Sequence, residues 1–297
     1  ALVGLRVNAA QFGNIPSRSY RIRGQKVAIP NNGTVSGVTG AITYAGVWGG
    51  TFAQAQWTTD PAWCLWDLLT STRYGTGQYI TASNLDKWSF YAASQYCATL
   101  VPDGKGGTEP RFSCNAVIQT QDEAYNVINQ MASVFRAMPF WSAGAISITQ
   151  DRPTDATYLF NTSNVIEGGF SYSGSALKTR ATVAVVKYFD INGTRDASFE
   201  VVEDQAAISR YGVVKTEIDA FGCTSRSQAR RLGEWLLYTA QNESETVSFA
   251  TGIEAGSLVR PGQVIQVADP VRSGERTGGR IVRATADRKS TRLNSSH

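Results

Sequence analysis

Residues 120–148 read TQDEAYNVINQMASVFRAMPFWSAGAISI, and this stretch decides the fold class because it predicts a helix and a hairpin side by side. Thr120 and Glu123 form a capping box, in which the two side chains satisfy backbone N–H groups at the start of a helix. Apolar residues then recur at helical spacing until Pro139, namely Val127, Ile128, Met131 and Phe135. Residues 140–148 follow as a strand pair that turns at an Ala-Gly step. A helix beside an antiparallel hairpin is typical of the α+β class.

Short strands and capped helices alternate over the rest of the chain. Asp60-Pro61 predicts an N-cap followed by proline at the first helical position. Two further capping boxes predict helices, one at Ser83 with Asp86 and one at Ser225 with Gln228. Strands are predicted over residues 19–23, 26–29, 111–119, 181–190, 197–202, 246–251, 263–268 and 279–285. Few of these strands are followed by a crossover helix, so we predict a multi-domain α+β fold that is mainly antiparallel β.

Tryptophans recur at helical spacing in the predicted helices, and they raise two alternatives. Exposed tryptophans stack on sugar rings, whereas tryptophans that share a face with leucines pack in a core or at a contact between domains. Leucines do share the face here, so packing is favoured. The residues predicted to pack in a core or between domains are Trp63, Trp66, Leu69, Trp88, Val127, Ile128, Met131, Phe135, Leu232, Trp235 and Leu236.

Composition indicates a folded chain without histidine chemistry. Of 297 residues, 42% are hydrophobic and only 18% are charged, which excludes a disordered chain. The single histidine is His297, the last residue, so neither a histidine relay nor a histidine-ligated metal is supported. We predict no catalytic residue, no cofactor and no metal site, and therefore a protein that is not an enzyme.

The four cysteines favour buried, reduced thiols. Cys64, Cys97, Cys114 and Cys223 never occur as a CxxC pair, so neither a zinc knuckle nor a thioredoxin-type motif is present. Cys97 and Cys114 flank one predicted loop. The sequence leaves open whether these two form a disulfide.

Two alternative functions rest on charged residues. The adjacent acids Asp122–Glu123 and Glu203–Asp204 could supply the carboxylate pair of a glycoside hydrolase. Both pairs are predicted at helix starts, where acids complement the helix dipole without catalysis. Arg226, Arg230 and Arg231 could meet nucleic-acid phosphates, although such a run is more often a solvated helix face.

The chain divides into four segments by pattern. Residues 1–57 are expected to be a β-rich segment truncated at its N-terminus, 58–110 a helical insertion, and 111–286 an α+β domain. Residues 287–297, DRKSTRLNSSH, lack apolar periodicity and match one reading frame of a widely used sequencing adapter. We expect this last segment to be non-native.

Several phrases in fixed order resemble a known family. They are DPAWCLWDLLT at 60–70, DKW at 86–88, VPDG at 101–104, GTEPR at 107–111, VED at 202–204 and DAFGCTSR at 219–226. These phrases resemble the tail-tip attachment (host-specificity) proteins of lambda-like siphophages. Residues 111 to about 269 are also similar to a broader family of phage tail hub proteins.

The resemblance implies a structural role. It implies that 111–286 is a phage tail hub domain and that the protein is a homotrimer that closes the distal end of the tail with other tail-tip proteins. It also implies assembly in the host cytoplasm and residence in the virion tail tip. The host outer-membrane receptor would be contacted only through regions absent here, and genomic DNA would pass the lumen without specific binding. The alternative function is a carbohydrate-binding or glycan-degrading module.

Overall fold

The computed structural model describes residues 22–118, 123–142, 144–166, 169–176, 180–193 and 195–272, together with positions 6, 8, 10, 11, 13 and 14. Within these residues the helices are α1 (Pro61–Thr70), α2 (Lys87–Ala98), α3 (Ala124–Ser133), α4 (Gln205–Tyr211), α5 (Arg226–Asn242) and α6 (Ile253–Leu258), with a short 3-10 helix at Ala82–Asn84. The strands are β1 (Lys26–Val27), β2 (Gly33–Val35), β3 (Ile42–Tyr44), β4 (Gln56–Trp57), β5 (Leu100–Pro102), β6 (Thr108–Pro110), β7 (Ala137–Ser142), β8 (Ala145–Gln150), β9 (Tyr158–Asn161), β10 (Ser171–Gly174), β11 (Val183–Phe189), β12 (Ala197–Glu203), β13 (Lys215–Asp219), β14 (Glu245–Ser248) and β15 (Ile265–Ala268). None of the helices described is long and apolar enough to cross a membrane.

Strand pairing is mainly antiparallel, and the predicted α+β class is confirmed. Among the described residues, six of the pairings between these strands are antiparallel and two are parallel, β11 with β13 and β9 with β15. Most of the sheets have two strands, whereas β12, β11 and β13 form a three-stranded sheet in that order. Helix α5 packs on one face of this larger sheet.

Helix α1 begins where the sequence predicts it. Asp60 is the N-cap, and its side chain accepts hydrogen bonds from the backbone N–H groups of Ala62 and Trp63. Pro61 occupies the first turn, where its missing N–H removes no helical hydrogen bond.

The start of α2 differs from the prediction of a Ser83–Asp86 capping box. Asp86 is itself the N-cap, because its side chain accepts from the backbone N–H of Trp88 and the helix begins at Lys87. Ser83 lies in the preceding 3-10 helix, where its hydroxyl bonds that of Thr81. The helix is therefore present as predicted, but it begins about one turn later than the Ser83–Asp86 box indicates.

Helix α3 is shorter than predicted. It ends at Ser133, and Arg136 adopts a positive φ of 55° that turns the chain into β7. Pro139 therefore lies within β7, paired with Ile148 of β8, and it does not mark the end of a helix. Because β7 pairs only with β8 among the described residues, it is an edge strand, a position that tolerates proline. The predicted hairpin over 140–148 is confirmed, although β7 begins three residues earlier.

The predicted strand over 111–119 is wrong. Residues 112–118 have no regular structure. The backbone N–H groups of this stretch bond to separate parts of the chain: Arg111 to Thr99, Phe112 to Cys97, Cys114 to Thr59 and Asn115 to Gly222. The stretch thus acts as a connector that is held by several elements and that pairs with no single strand.

Some predictions fall outside the described residues. These are Thr120, the strand over 279–285, the segment 287–297 and most of the strand over 19–23. The predicted strands at 26–29, 181–190, 246–251 and 263–268 are present as shorter or shifted elements, β1, β11, β14 and β15. The predicted strand at 197–202 is present as β12, which is one residue longer.

Among the described residues, the core is divided into one large and two small clusters. The large cluster contains buried residues from Val27 to Ile148, and it therefore draws on each of the segments expected at 1–57, 58–110 and 111–286. The two small clusters lie between α5 and the three-stranded sheet.

Candidate assembly site

Tryptophans of α1 lie at the centre of the large cluster. Trp63, Trp66 and Leu69 are 0%, 5% and 1% exposed. The Trp63 and Trp66 rings are 5.9 Å apart in an edge-to-face contact. The Trp48 ring lies 5.9 Å from Trp63 and the Phe52 ring 5.4 Å from Trp66. Sequence reasoning missed Trp48 and Phe52, because both lie in a glycine-rich stretch without periodicity.

A chain of hydrogen bonds ends on a buried carboxylate beneath these rings. Trp63 Nε1 donates to the Tyr44 hydroxyl at 2.8 Å, and that hydroxyl bonds Ser94 Oγ. Ser94 Oγ in turn donates to Asp60 Oδ2 at 2.7 Å. Burial raises the pKa of Asp60 to about 6, even though the hydrogen bonds from Ser94 and the helix N–H groups favour the charged form. One polar network thus joins β3, α1 and α2.

Trp88 lies at the surface and not in the core, with 51% of its side chain exposed. Its ring still contacts Trp48 at 5.1 Å. Lys87 Nζ lies 5.8 Å from the Trp48 ring and 5.3 Å from the Trp88 ring, and it donates to the Gly50 carbonyl at 3.0 Å. Trp88, which was predicted to pack in a core or between domains, therefore lies at the rim of the aromatic cluster.

The predicted residues of α3 occupy one side of the large cluster. Met131 is buried, and so is Phe135, which lies just beyond the end of the helix. Ile128 is half-buried and packs against the cluster, and Val127 is also half-buried.

Helix α5 presents a different stripe to its sheet than the predicted one. Its buried apolar positions are Ala229, Gly233 and Leu237, whereas Leu232, Trp235 and Leu236 are half-buried. A Cβ on Gly233 would lie 2.8 Å from a methyl carbon of Val202, so the glycine allows the helix to approach the sheet closely. Sequence reasoning missed Gly233, because an apolar pattern does not mark a residue that works by having no side chain.

A seam of polar contacts joins the N-terminal half of α5 to the large cluster. Glu109 accepts hydrogen bonds from Ser225 Oγ at 2.7 Å and Ser227 Oγ at 2.6 Å, and Arg231 Nη1 lies 2.8 Å from its Oε1. Gln228 accepts from the backbone N–H of Ser113 at 3.0 Å and donates to the carbonyl of the same residue at 3.1 Å. Ser225 and Gln228, predicted as a capping box, are used here to dock the helix onto the 109–115 connector.

Arg136 and Trp235 close the seam. The Arg136 guanidinium lies 4.7 Å from the Trp235 ring and 5.4 Å from the Phe112 ring, and Nη2 donates to the carbonyl of Arg231 at 3.2 Å. Burial lowers the pKa of Arg136 to about 10. Trp235 Nε1 donates to Asp151 Oδ2 at 2.7 Å. Trp235 thus packs at the contact between α5 and the large cluster.

The face of the three-stranded sheet that points away from α5 is partly apolar and open. Phe199, Val201 and Phe189 are 63%, 53% and 47% exposed, and Val201 pairs with Val185 across β12 and β11. Neighbouring exposed apolar side chains on a folded surface are typical of contact sites for other proteins. No sequence pattern predicted this face.

The charged residues behind the alternative functions have structural partners. Asp204 caps α4 by accepting from the Ala207 N–H, and Glu203 bonds Gln205, while Glu123 is the N-cap residue of α3 and Asp122 lies outside the described residues. Arg226 pairs with Glu200, Arg230 with Glu234 and Arg231 with Glu109. Among the described residues, Glu203 and Asp204 thus have structural roles, and each of the three arginines is paired.

The cysteines are free thiols in this structure. Gln150 Nε2 lies 3.6 Å from Cys97 Sγ, while Cys114 Sγ lies 4.0 Å from Met131 Sδ, so Cys97 and Cys114 have separate partners. Burial raises the pKa of Cys114 to about 12 and that of Cys223 to about 11. Within the part of the chain that the structure describes, no group of histidine, cysteine and acidic side chains could hold a metal ion.

Comparison with known proteins gives a consistent picture. Residues 123–284 match the family described as "Putative phage tail protein". A protein of Escherichia phage SECphi27 named "Tip attachment protein J" is 45% identical over 242 residues, which is 80% of this chain and 20% of that protein. The protein of the same name from Escherichia phage SECphi4 is 35% identical over 285 residues, 95% of this chain and 24% of that protein. The chain thus spans about a fifth to a quarter of the length of these relatives.

A solved structure, the 43 kDa tail protein of prophage MuSo2 from Shewanella oneidensis, overlaps 52% of this chain and 46% of its own length. The overlap has a TM-score of 0.36 and 17% sequence identity, values that do not define a shared fold.

Proposed function

The chain belongs to the phage tail protein family, and on that premise we propose that it is a structural part of a phage tail tip. The observation that carries this proposal is the likeness to two proteins named tip attachment protein, which extends over 80% and 95% of the chain. In this role the protein acts by packing against other tail proteins and carries out no reaction. Its place is the tail of the virion.

Three features of the structure support a role in assembly. The aromatic cluster around α1 and the polar seam along α5 fix the parts of the chain against each other. The outer face of the three-stranded sheet, with exposed Phe199, Val201 and Phe189, offers an apolar surface for a neighbouring subunit. Of the residues that suggested a hydrolase or a nucleic-acid binder, Asp204 caps α4 and the arginines Arg226, Arg230 and Arg231 form ion pairs.

The finer details extend the proposal. Three copies of the chain form a homotrimer around a lumen, and the genome passes through this lumen without specific contacts. The trimer assembles in the host cytoplasm. Residues 111–286 form the hub domain, with 58–110 as a helical insertion and 1–57 as a β-rich segment. Contact with the outer-membrane receptor belongs to other regions of the full-length protein.

Copy number in purified virions tests this proposal. Mass spectrometry with isotope-labelled peptides from the described residues measures copies of the protein against a head or tail protein of known number. The expected result is three copies per virion. A protein that is made during infection but is missing from washed virions would contradict the structural role, and a copy number that is not a multiple of three would contradict the trimer.

A further inference from the structure

The turn between β11 and β12 contains the dipeptide Asn192-Gly193. An asparagine before a glycine is prone to lose its side-chain amide, because glycine has no Cβ to hinder attack by its backbone nitrogen on the neighbouring amide carbon. Both residues are exposed to solvent. The side chain of Asn192 forms no hydrogen bond with another described residue, so its amide carbon can turn toward Gly193.

A carboxylate lies against the nitrogen that would attack. Asp190 Oδ1 accepts hydrogen bonds from the backbone N–H groups of Asn192 at 3.1 Å and of Gly193 at 2.8 Å. The backbone N–H of Asp190 donates to the carbonyl of Asp196 at 2.9 Å and closes the turn. A Cβ on Gly193 would clash with Asp190 Oδ2, so the carboxylate occupies the space beside this residue. Asp190 is therefore in place to accept the proton that the Gly193 nitrogen must lose before it can attack.

The chain contains a second Asn-Gly pair, Asn32-Gly33, whose surroundings are different. Asn32 is half-buried, and its Nδ2 donates to the Tyr91 hydroxyl at 2.8 Å. The Gly33 N–H donates to the carbonyl of Pro30 at 3.0 Å, and a neutral carbonyl is a far weaker proton acceptor than a carboxylate. Reaction at Asn32 therefore requires the hydrogen bond to Tyr91 to break and finds no base beside the attacking nitrogen.

We propose that Asn192 is a site of spontaneous deamidation, with Asp190 as the proton acceptor. The Gly193 nitrogen gives its proton to Asp190 and attacks Cγ of Asn192, so that a new N–Cγ bond forms. The Cγ–Nδ2 bond then breaks, and the amide nitrogen leaves as ammonia after Asp190 has returned the proton to it. Water opens the resulting five-membered succinimide at either carbonyl and yields aspartate or isoaspartate. This inference is independent of the role in the tail.

Either product changes the turn that joins β11 and β12. Aspartate adds a carboxylate to a turn that already contains Asp190 and Asp196, and like charges close together repel each other. Isoaspartate instead adds one carbon to the backbone of the turn. The strand pair next to the turn is Phe189 with Ala197, so both changes occur beside the exposed apolar face of the sheet.

Deamidation is measured on the folded 297-residue chain during incubation at pH 7. Peptides released by digestion in acid, where the reaction is slow, are analysed by mass spectrometry for replacement of the amide NH2 by OH. Asn192 is expected to convert about tenfold faster than Asn32, because the bond to Tyr91 must first break at the latter. Asp190→Asn is expected to slow conversion of Asn192 by about tenfold, which is less than general bases usually contribute because a carboxylate is a weak base.

Asp196→Asn is the matched control, because it removes a carboxylate from the same turn whose Oδ1 accepts from the N–H of the next residue and not from the attacking nitrogen. This variant is expected to leave the rate at Asn192 unchanged. The proposal is overturned if Asn192 converts no faster than Asn32 in the folded chain, or if the same difference in rate persists after unfolding in urea. The part assigned to Asp190 is overturned if Asp190→Asn slows the reaction no more than the control variant does.

Discussion

Ser94 Oγ donates a hydrogen bond of 2.7 Å to Asp60 Oδ2, in a place where both side chains are buried. Through this bond, α2 is joined to the N-cap of α1, and through the Tyr44 hydroxyl the same network reaches β3. Every member donates toward the carboxylate, so the network is complete when Asp60 accepts. The negative charge itself is nevertheless unfavourable here, because burial raises the pKa of Asp60 to about 6.

Replacing Asp60 by Asn is therefore expected to change the pH dependence of stability. The folded-state pKa of about 6 lies above the ordinary value of 3.8, so folding is favoured when Asp60 is protonated. This stabilisation is fully present below about pH 4 and is lost as the pH rises through 6. Asparagine keeps an N-cap acceptor but carries no charge.

Urea denaturation of the wild type and Asp60→Asn at pH 5 and pH 7 provides the measurement. The free energy of unfolding of the wild type, relative to the variant, is expected to be larger at pH 5 than at pH 7. A difference between the two proteins that does not vary with pH would show that Asp60 is ionised at little cost in the folded state.

Trp66→Ala is expected to destabilise the fold by about 3–5 kcal/mol, since the ring is 5% exposed and its removal leaves a cavity among other aromatic rings. Trp88→Ala is the matched control, because Trp88 is 51% exposed at the rim of the same cluster. In chemical denaturation, Trp88→Ala should lower the free energy of unfolding by less than half as much as Trp66→Ala does. Equal losses would contradict the assignment of the cluster centre to α1.

Gly233→Ala is expected to destabilise the protein by about 1 kcal/mol although alanine is the better helix former. The new Cβ would lie 2.8 Å from Val202 and press α5 away from its sheet. Gly256→Ala in α6 is the matched control, since its Cβ would meet nothing within 4 Å. The control is expected to gain about 0.5–1 kcal/mol in thermal or chemical denaturation. A gain in stability from both substitutions would contradict this account, because it would show that α5 can shift away from the sheet at no cost.

Glu109→Gln is expected to weaken the seam along α5 by about 1–2 kcal/mol. The change keeps the shape but removes the charge that faces Arg231 and accepts from Ser225 and Ser227. Glu234→Gln serves as the control, because its pair with Arg230 is exposed and within one helix, where such a pair contributes about 0.3–0.5 kcal/mol. Hydrogen exchange should locate the loss of protection at the start of α5, and unchanged exchange there would contradict the seam.

The cysteines are expected to resist alkylation in the folded protein. Burial raises the pKa of Cys114 to about 12 and of Cys223 to about 11, so neither is a thiolate at pH 8. Burial also raises the pKa of Cys64 and Cys97 well above the ordinary value, so iodoacetamide followed by mass spectrometry should label none of the four quickly in the folded protein. After unfolding without a reductant, all four cysteines should react. Only two adducts would reveal a disulfide, such as one between Cys97 and Cys114.

The parts of the fold that were predicted correctly depend on neighbours in sequence. The start of α1 at Asp60 needs only its own first turn, and the β7–β8 hairpin needs only a short connection. The stretch 111–119 was mistaken for a strand because its hydrogen bonds go to Thr59, Cys97, Thr99 and Gly222, which no local pattern reveals.

In the candidate assembly site, too, local patterns predict some residues, while tertiary contacts alone place the others. Trp63 and Trp66 were marked by helical spacing, whereas Trp48 and Gly233 depend on tertiary contacts that leave no period in the sequence. Trp88 shares the helical spacing of a core residue, but it lies in the first turn of α2 and is 51% exposed. The tail family itself was predicted from ordered phrases, which carry information that composition and periodicity lack.

The most direct test of the tail-tip role is the position of this chain in the intact virion. Antibodies raised against the folded chain and coupled to gold can be imaged on purified particles by electron microscopy. The account predicts label at the distal end of the tail, opposite the head. Label on the head or along the tail tube would contradict it.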